Sequence, residues 1–241
     1  MLHAILFNKA GKSLTSNESH WRQLFTASED SLTSTIFGYL LHLPVELFWT
    51  IMNNACYIED ITTHYPKIQS VEFWPHWSPA ESGNTNYVEP DVFIRTKDLD
   101  LIIEAKRFDD NQQSPAQWRK EIQGYINEYG NEGKEVIFLA LGGLNNEKSE
   151  SIELTNKSIN VLKCRWNRIL NEVKVIHSKL EKNRLYLNNI ESISIVLNDI
   201  ILGFGIHGYS TGIWPEDENF NGLTGINYRE PFQELELKLG R

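Results

Sequence analysis

Cysteine is scarce in this chain, and its scarcity excludes several kinds of scaffold. Only Cys56 and Cys164 are present, far apart in the sequence and outside any CxxC arrangement. The pattern therefore contains neither a disulfide framework nor a zinc knuckle. Cysteines used in this way are typical of a reducing compartment, so we predict a cytoplasmic protein.

Apolar runs long enough to span a bilayer are also lacking. The first residues, Met1 to Phe7, form a short apolar run without a basic start, which does not predict a signal peptide. We therefore expect no membrane partner. Internal repeats and linkers rich in proline or serine are missing too, so nothing in the composition separates domains cleanly.

Basic residues are the third shortage. The chain has 23 lysine and arginine residues against 32 aspartate and glutamate residues, which gives a net charge of -9 and an isoelectric point near 5.3. Nucleic-acid binding depends largely on lysine and arginine contacts to phosphate, so this charge argues against unaided capture of nucleic acid. A chain of this composition that acts on nucleic acid is expected to rely on a protein partner for substrate capture.

Apolar residues, by contrast, are sufficient for a substantial core. Of the 241 residues, 41% are hydrophobic and 11% are aromatic, which predicts a globular protein. We divide the chain into residues 1–150, a core that includes N-terminal helices, and residues 151–241, a helical extension with a loop-rich tail packed on that core.

The most informative segment is a predicted β-hairpin that carries two carboxylates and a lysine. A strand, a polar turn and a second strand are predicted over residues 92–106, and Asp91 directly precedes them. Side chains alternate between the two faces of a strand. We therefore expect Glu104 and Lys106 on one face of the second strand and Ala105 on the other.

This set of side chains suits metal-dependent hydrolysis of phosphodiesters. Mg²⁺ prefers oxygen ligands, keeps several waters and is commonly held by one or two carboxylates. Water bound to such an ion is a better nucleophile, and the ion stabilises charge on the phosphate. The alternative is a solvated charge pair at a strand end. The apolar run Leu101-Ile102-Ile103 argues against this alternative, because it is typical of a central strand. A charge pair at the end of a central strand more often has a functional role.

Pro90-Asp91 followed by Glu104-Ala105-Lys106 resembles the PD-(D/E)xK motif of the restriction-endonuclease-like nucleases. The resemblance implies an α/β, restriction-endonuclease-like core with a mixed central sheet flanked by helices, followed here by a helical C-terminal extension. It also implies that Asp91, Glu104 and the backbone carbonyl of Ala105 bind Mg²⁺, with Mn²⁺ able to substitute. Lys106 would activate the attacking water or stabilise charge, which makes it a catalytic residue together with Asp91 and Glu104.

Elements after the hairpin follow the order of the nuclease core. A helix with proline in its first turn is predicted over residues 115–129, and a buried strand over residues 135–141. In the resembled family the helix after the lysine often presents a polar group to the site. Candidates for that group are Gln117, Glu121 and Gln123, and an ordinary exposed helix position is the alternative for each.

The resembled core also has a helix before the hairpin, sometimes with a glutamate at the site. Ser28 followed by Glu29 and Asp30 predicts a helix start, with a side-chain cap and acidic residues favoured by the helix dipole. Capping and dipole effects alone explain both acidic residues. Of the two, we choose Glu29 as the catalytic candidate. The candidates for substrate binding are Arg107, Gln117 and Gln123.

The C-terminal part is predicted to be helical. Apolar residues recur at spacings of three and four over residues 155–183, which predicts one long amphipathic helix, and residues 190–202 predict a second. The glycine-rich segment from Gly203 onward is predicted to form loops with short strands. If the protein makes double-strand breaks with one site per chain, we expect a homodimer, with the long helix as its surface.

Together these features predict a metal-dependent nuclease that hydrolyses phosphodiester bonds of DNA. Bacterial proteins of the resembled kind often serve in restriction, phage defence or mobile-element processing, an analogy that fold alone cannot establish. Two alternatives remain open. One is a ribonuclease of the same fold, because the chemistry at the phosphate is shared. The other is a nuclease-like interaction subunit of a larger complex.

Overall fold

The structure, a computed structural model, describes residues 25–212 except 85, 109–110, 155–156 and 183–189. The segment before residue 25 and the predicted tail beyond residue 212 lie outside the described residues. The helices are α1 (Glu29–Leu40), α2 (Val45–Ala55), α3 (Pro115–Tyr129), α4 (Trp166–Lys182) and α5 (Ile190–Ile206). The strands are β1 (Ser70–Phe73), β2 (Val92–Arg95), β3 (Leu99–Ala105), β4 (Glu135–Leu141), β5 (Glu150–Leu154) and β6 (Lys157–Cys164).

Six strands form one mixed sheet in the order β1-β2-β3-β4-β6-β5. Neighbours are antiparallel from β1 to β3, parallel from β3 through β4 to β6, and antiparallel again between β6 and β5. β3 is buried along its whole length, as an apolar run requires of a central strand. The predicted α/β class, a mixed sheet flanked by helices, is confirmed.

Helices cover both faces of the sheet. α3 packs on one face through Trp118, Ile122 and Tyr125, which join Phe93 and Phe138 in one apolar cluster. On the other face α1, α2, α4 and α5 share a larger cluster with the odd-numbered residues of β3. The even-numbered residues of β3 consequently face α3.

Two predicted helix starts are confirmed together with their local causes. α1 begins after Ser28, whose hydroxyl accepts a hydrogen bond from the backbone N–H of Ser31 at 3.4 Å. α3 begins at Pro115, in the first turn, where a missing N–H costs little. The hairpin of β2 and β3 and the buried strand β4 are also present at the predicted places.

The long helix predicted over residues 155–183 is wrong in its first half. β6 lies there, paired in parallel with β4, and α4 begins only at Trp166. Ile159 and Val161 join the cluster beneath α3, whereas Leu162 joins the opposite cluster. Apolar residues on both faces of a strand can recur at spacings of three and four, which also fit a helix.

The sheet also extends past residue 150, the boundary that we placed between core and extension, because β5 and β6 belong to it. The second C-terminal helix is confirmed, but it runs to Ile206 and not to residue 202. Gly203 and Gly205 are therefore helical and not part of a loop.

The apolar stripe of α4 is covered within the chain. Ile169, Val173 and Ile176 are buried, and α4 packs on both α2 and α5. This stripe cannot serve as the predicted dimer surface, although the homodimer itself stays a prediction. In the part of the chain that the structure describes, no helix is long and apolar enough to cross a membrane.

Candidate functional site

The hairpin brings Asp91 and Glu104 together at the end of the central strand. Val92 pairs with Ile103, so the residues just outside this pair stand opposite each other. The Oδ2 atom of Asp91 accepts a hydrogen bond from the backbone N–H of Ala105 at 2.7 Å. Both carboxylates are buried, with Asp91 8% and Glu104 2% exposed. The two predicted metal ligands thus share one buried corner of the sheet.

Lys106 lies on the same side of β3 as Glu104, as strand alternation predicts, and its ammonium contacts Glu104 Oε1. Gln117 reaches the same oxygen from α3, where its Nε2 donates at 2.5 Å. A second amide, that of Gln113, donates to the backbone carbonyl of Glu104 at 2.9 Å. Glu104 is therefore held from its own strand and from α3.

Glu29, the catalytic candidate at the start of α1, also reaches this corner. Its Oε1 atom accepts a hydrogen bond from Lys106 Nζ at 3.3 Å, and its Oε2 atom accepts one from the backbone N–H of Arg107 at 2.8 Å. Ser28 supplies the side-chain cap of the helix. The carboxylate of Glu29 thus binds Lys106 and Arg107 and does not cap the helix.

Trp74 makes a contact that the sequence did not indicate. Its indole Nε1 donates to Asp91 Oδ1 at 3.2 Å, and its backbone N–H donates to the Asp91 carbonyl at 3.1 Å. Both carboxylate oxygens of Asp91 therefore have donors. Only the pairing of β1 with β2 places this indole beside the aspartate.

Glu121 departs most from the sequence expectations. It is not an exposed helix residue: it is 2% exposed, and its Oε2 atom has no hydrogen-bond partner among the described residues. It lies one turn after Gln117 on α3, and its carboxyl group lies close enough to that of Glu104 for each to affect the pKa of the other. A signal was present in the sequence, because this acidic residue interrupts an apolar helix face formed by Trp118, Ile122 and Tyr125.

Three carboxyl groups in one buried corner create an excess of negative charge. Burial, followed by the charge of Glu104, raises the pKa of Asp91 to about 8. Burial also raises the pKa of Glu104, and burial together with Glu104 raises the pKa of Glu121 well above its ordinary value. Burial opposes the charge of Lys106, but the nearby carboxylates, Glu104 foremost, outweigh it and raise the pKa of the ammonium.

The donor set of this corner fits a divalent cation. Carboxylate oxygens are the ligands that hard cations such as Mg²⁺ prefer. Among the described residues, no three Asp, Glu, His or Cys side chains already converge as a metal-binding group. Mg²⁺ does not require such a group, because one or two carboxylates and several waters commonly hold it. The buried, unpartnered oxygen of Glu121 is a further donor that a cation could use.

Two of the three substrate-binding candidates are engaged away from the carboxylates. The guanidinium of Arg107 donates to the backbone carbonyls of Thr26 and His207, the second at 3.1 Å. Gln123 donates to a neighbour on its own helix at 3.0 Å, on a different face of α3 from Gln117. Of the three candidates, only Gln117 extends its side chain to the carboxylate of Glu104.

Replacing Arg107 by alanine should destabilise the fold. Its guanidinium joins the segment after β3 to the chain before α1 and to the end of α5, and hydrogen bonds from charged groups contribute roughly 1.5–3 kcal/mol each. We expect the free energy of unfolding in urea to fall by about 2–4 kcal/mol. Arg119→Ala is the control, since this exposed arginine donates to a single carbonyl on β5. Equal, small losses in both variants would contradict the structural role.

Two glycines allow Lys106 to lie against the end of β4. Gly142 and Gly143 have φ angles of 69° and 62°, and a Cβ atom at Gly142 would lie 2.0 Å from the carbonyl oxygen of Lys106. The backbone N–H of Lys106 donates to Leu141 at 2.7 Å, and its carbonyl accepts from the indole of Trp166 at 2.9 Å. Close backbone packing therefore positions the lysine.

A cleft of about 400 Å³ opens beside the carboxylates. Gln117 and Glu121 line it from α3, together with Glu89, the residue before the motif's proline. Lys120 lies on its wall and donates to Asn84 at 3.0 Å. The corner is thus bordered by a cleft whose walls carry amide and ammonium groups.

No family model matches the chain. The chain is similar to Uncharacterized protein PM0110 of Pasteurella multocida (strain Pm70), with 28% identity over an alignment of 250 positions that covers 94% of this chain and 88% of the relative. The similarity spans nearly the whole of both proteins, and the relative's name assigns it no activity. The geometry of the carboxylate corner is therefore the main indication of function.

Proposed function

We propose that the chain is a metal-dependent nuclease with the restriction-endonuclease-like fold, which hydrolyses phosphodiester bonds of DNA. One observation carries the proposal: Asp91 and Glu104 meet in a buried corner at the end of β3, and the ammonium of Lys106 contacts Glu104. The order of β2, β3, α3 and the parallel strand β4 supports it, because strand, strand, helix, strand is also the order of the resembled nuclease core. The proposal includes membership of the PD-(D/E)xK superfamily.

Asp91, Glu104 and the backbone carbonyl of Ala105 would hold Mg²⁺ or Mn²⁺. When bound, such an ion lowers the pKa of a coordinated water and stabilises charge on the phosphate. The chain prepares Asp91 for this role through the donors Ala105 and Trp74, which fix the orientation of its carboxylate. Gln117 does the same for Glu104 from α3.

Lys106 would act on the substrate as a cation. Its ammonium lies between Glu104 and Glu29 and contacts both carboxylates. An ammonium in this place can donate to an oxygen of the scissile phosphate and help to orient the attacking water. Glu29 would position the lysine and the segment after it, since it also accepts the backbone N–H of Arg107.

The described surface offers little positive charge for capturing DNA, so a partner protein would bind the substrate. The chain carries a net charge of -9, and few cations border the site apart from Lys106 and Lys120 among the described residues. Binding to phosphate depends on such cations. The proposal therefore includes a protein partner that delivers DNA, as in restriction, phage defence or mobile-element processing, settings that rest on analogy.

The test is cleavage of plasmid, linear duplex, single-stranded DNA and RNA with Mg²⁺ or Mn²⁺. We expect metal-dependent cutting of DNA that falls by roughly 100- to 1,000-fold in Lys106→Ala, because a preorganised cation at the phosphate is lost. Lys97→Ala, in the exposed turn of the hairpin, is the matched control and should cut like the wild type. Cutting that persists in EDTA, or that survives in Lys106→Ala, would contradict the proposal.

A further inference from the structure

Glu121 is a buried acidic residue to which the proposed site of Asp91 and Glu104 assigns no role. It stands on the sheet-facing side of α3, among the apolar residues Trp118, Ile122 and Tyr125. One of its oxygens lies out of contact with solvent and has no partner among the described residues. Leaving a buried carboxylate oxygen unsatisfied is costly, so a purely structural residue at this position would be expected to be apolar.

Asp100 shows what a structural carboxylate looks like in the same sheet. It is fully buried on β3, on the same face as Glu104, and it receives hydrogen bonds from Lys134 at 3.2 Å and from the hydroxyl of Tyr125 at 3.1 Å. Arg95 completes this set at 3.3 Å. Among the described residues, no lysine or arginine pairs with Glu121, whose carboxyl group is instead influenced by the amide of Gln117 and the carboxyl group of Glu104.

The contact between Glu121 and Glu104 has a simple chemical meaning. Two carboxyl groups can approach each other closely when a proton or a cation lies between them, because like charges repel strongly in a buried place. Glu121 also lines the cleft beside the corner, so the same residue borders both the corner and the cleft. A cation that enters from the cleft would meet this side chain.

We infer that Glu121 is a third cation-binding carboxylate of the site, which shares the cation with Glu104. The inference rests on the proposed function for the cation itself, and it adds a ligand from α3 to those of the hairpin. Its consequence is that metal binding ties α3 to β3, with Gln117 bridging the two glutamates from one turn before. The site then has ligands on two elements that are separate in sequence.

The experiment is calorimetric titration of MnCl₂ and MgCl₂ into the full chain, with thermal unfolding measured at each metal concentration. Glu121→Gln should keep its fold, because the amide has the same shape without the charge, and should bind both ions at least about 10-fold more weakly. Its metal-induced rise in unfolding temperature should shrink accordingly. Glu135→Gln, the same change at the exposed start of β4, should bind like the wild type.

A second variant, Glu121→Met, places an apolar side chain of similar length on the buried helix face and should show the same loss of affinity. Wild-type affinity in both Glu121 variants, while Asp91→Asn loses binding, would overturn the inference and leave the nuclease proposal standing. A wild-type chain that binds neither ion would overturn the proposal and the inference together. A 10-fold or greater loss in both Glu121 variants, with an unchanged Glu135→Gln, would support the inference.

Discussion

Replacing Asp91 by asparagine should stabilise the metal-free protein. The carboxyl group of Asp91 is buried beside Glu104, and its pKa is raised from 3.8 to about 8, so folding at neutral pH must either protonate the group or bury its charge. Asparagine carries no charge and keeps an oxygen that can accept the backbone N–H of Ala105, so the substitution loses only the longer hydrogen bond from the Trp74 indole. Without metal ions, we expect the variant to be more stable by on the order of 2–4 kcal/mol near pH 8.

The gain should depend on pH in a defined direction. A carboxyl group whose pKa is higher in the folded chain contributes stability that is fully present below the unfolded value, here 3.8, and is lost as the pH rises through about 8. The free energy of unfolding of the wild type should therefore fall across this window, and that of Asp91→Asn should fall less. Urea denaturation at about pH 5, 7 and 9 measures both slopes.

Addition of Mg²⁺ should reverse the order of the two proteins. An ion at about 1,000 times its Kd that binds the folded chain alone stabilises it by ~4.1 kcal/mol, and Asp91→Asn should gain far less. DNA cleavage by the variant should fall by roughly 1,000-fold. Asp98→Asn, in the exposed turn at the other end of the hairpin, is the control and should resemble the wild type. Equal stabilisation of the variant and the wild type by Mg²⁺ would exclude Asp91 as a ligand.

Replacing Gly142 by alanine should have the second large effect. At this glycine φ is 69°, which L-residues rarely adopt, and the new Cβ atom would lie 2.0 Å from the carbonyl oxygen of Lys106. That carbonyl also accepts from the indole of Trp166, so the backbone cannot move away without losing a hydrogen bond. We expect the free energy of unfolding to fall by roughly 3 kcal/mol or more, together with a loss of cleavage.

Gly133 provides a matched control for this change. Its φ angle is 71°, almost the same as at Gly142, but a Cβ atom there would meet nothing within 4 Å. Gly133→Ala therefore introduces the backbone strain, about 1–2 kcal/mol, without the collision. Urea denaturation of the two variants separates the two effects. If both lose the same stability, contact with Lys106 does not explain the glycine at position 142.

The centre of the candidate site could be predicted from local features of the chain. The alternation of a strand places Glu104 and Lys106 on one face whatever the rest of the fold does. The cap at Ser28 and the acidic residues after it located the start of α1, and with it Glu29. These features depend on residues that are near neighbours in the sequence, which is why the pattern was sufficient.

The choice between strand and helix for residues 157–164 was not local. Apolar residues on both faces of a buried strand also fit helical spacing, so the pattern supports either structure. The edge of β4 favours a strand, because residues 160–164 pair with it in parallel. The helix layers then bury apolar residues on both faces of that strand. The same pairing extends the sheet beyond the boundary placed at residue 150.

Roles that depend on partners far away in the chain could not be predicted either. Arg107 looked like a residue for substrate, but the carbonyls of Thr26 and His207 engage its guanidinium. Glu121 looked exposed, but the packing of α3 on the sheet buries it against Glu104. The amino-acid types along the chain were enough to indicate carboxylate chemistry at the hairpin. The tertiary structure decides which side chains contribute to that chemistry. The segments that bury these side chains and donate hydrogen bonds to them are distant in the sequence and meet only in the folded chain.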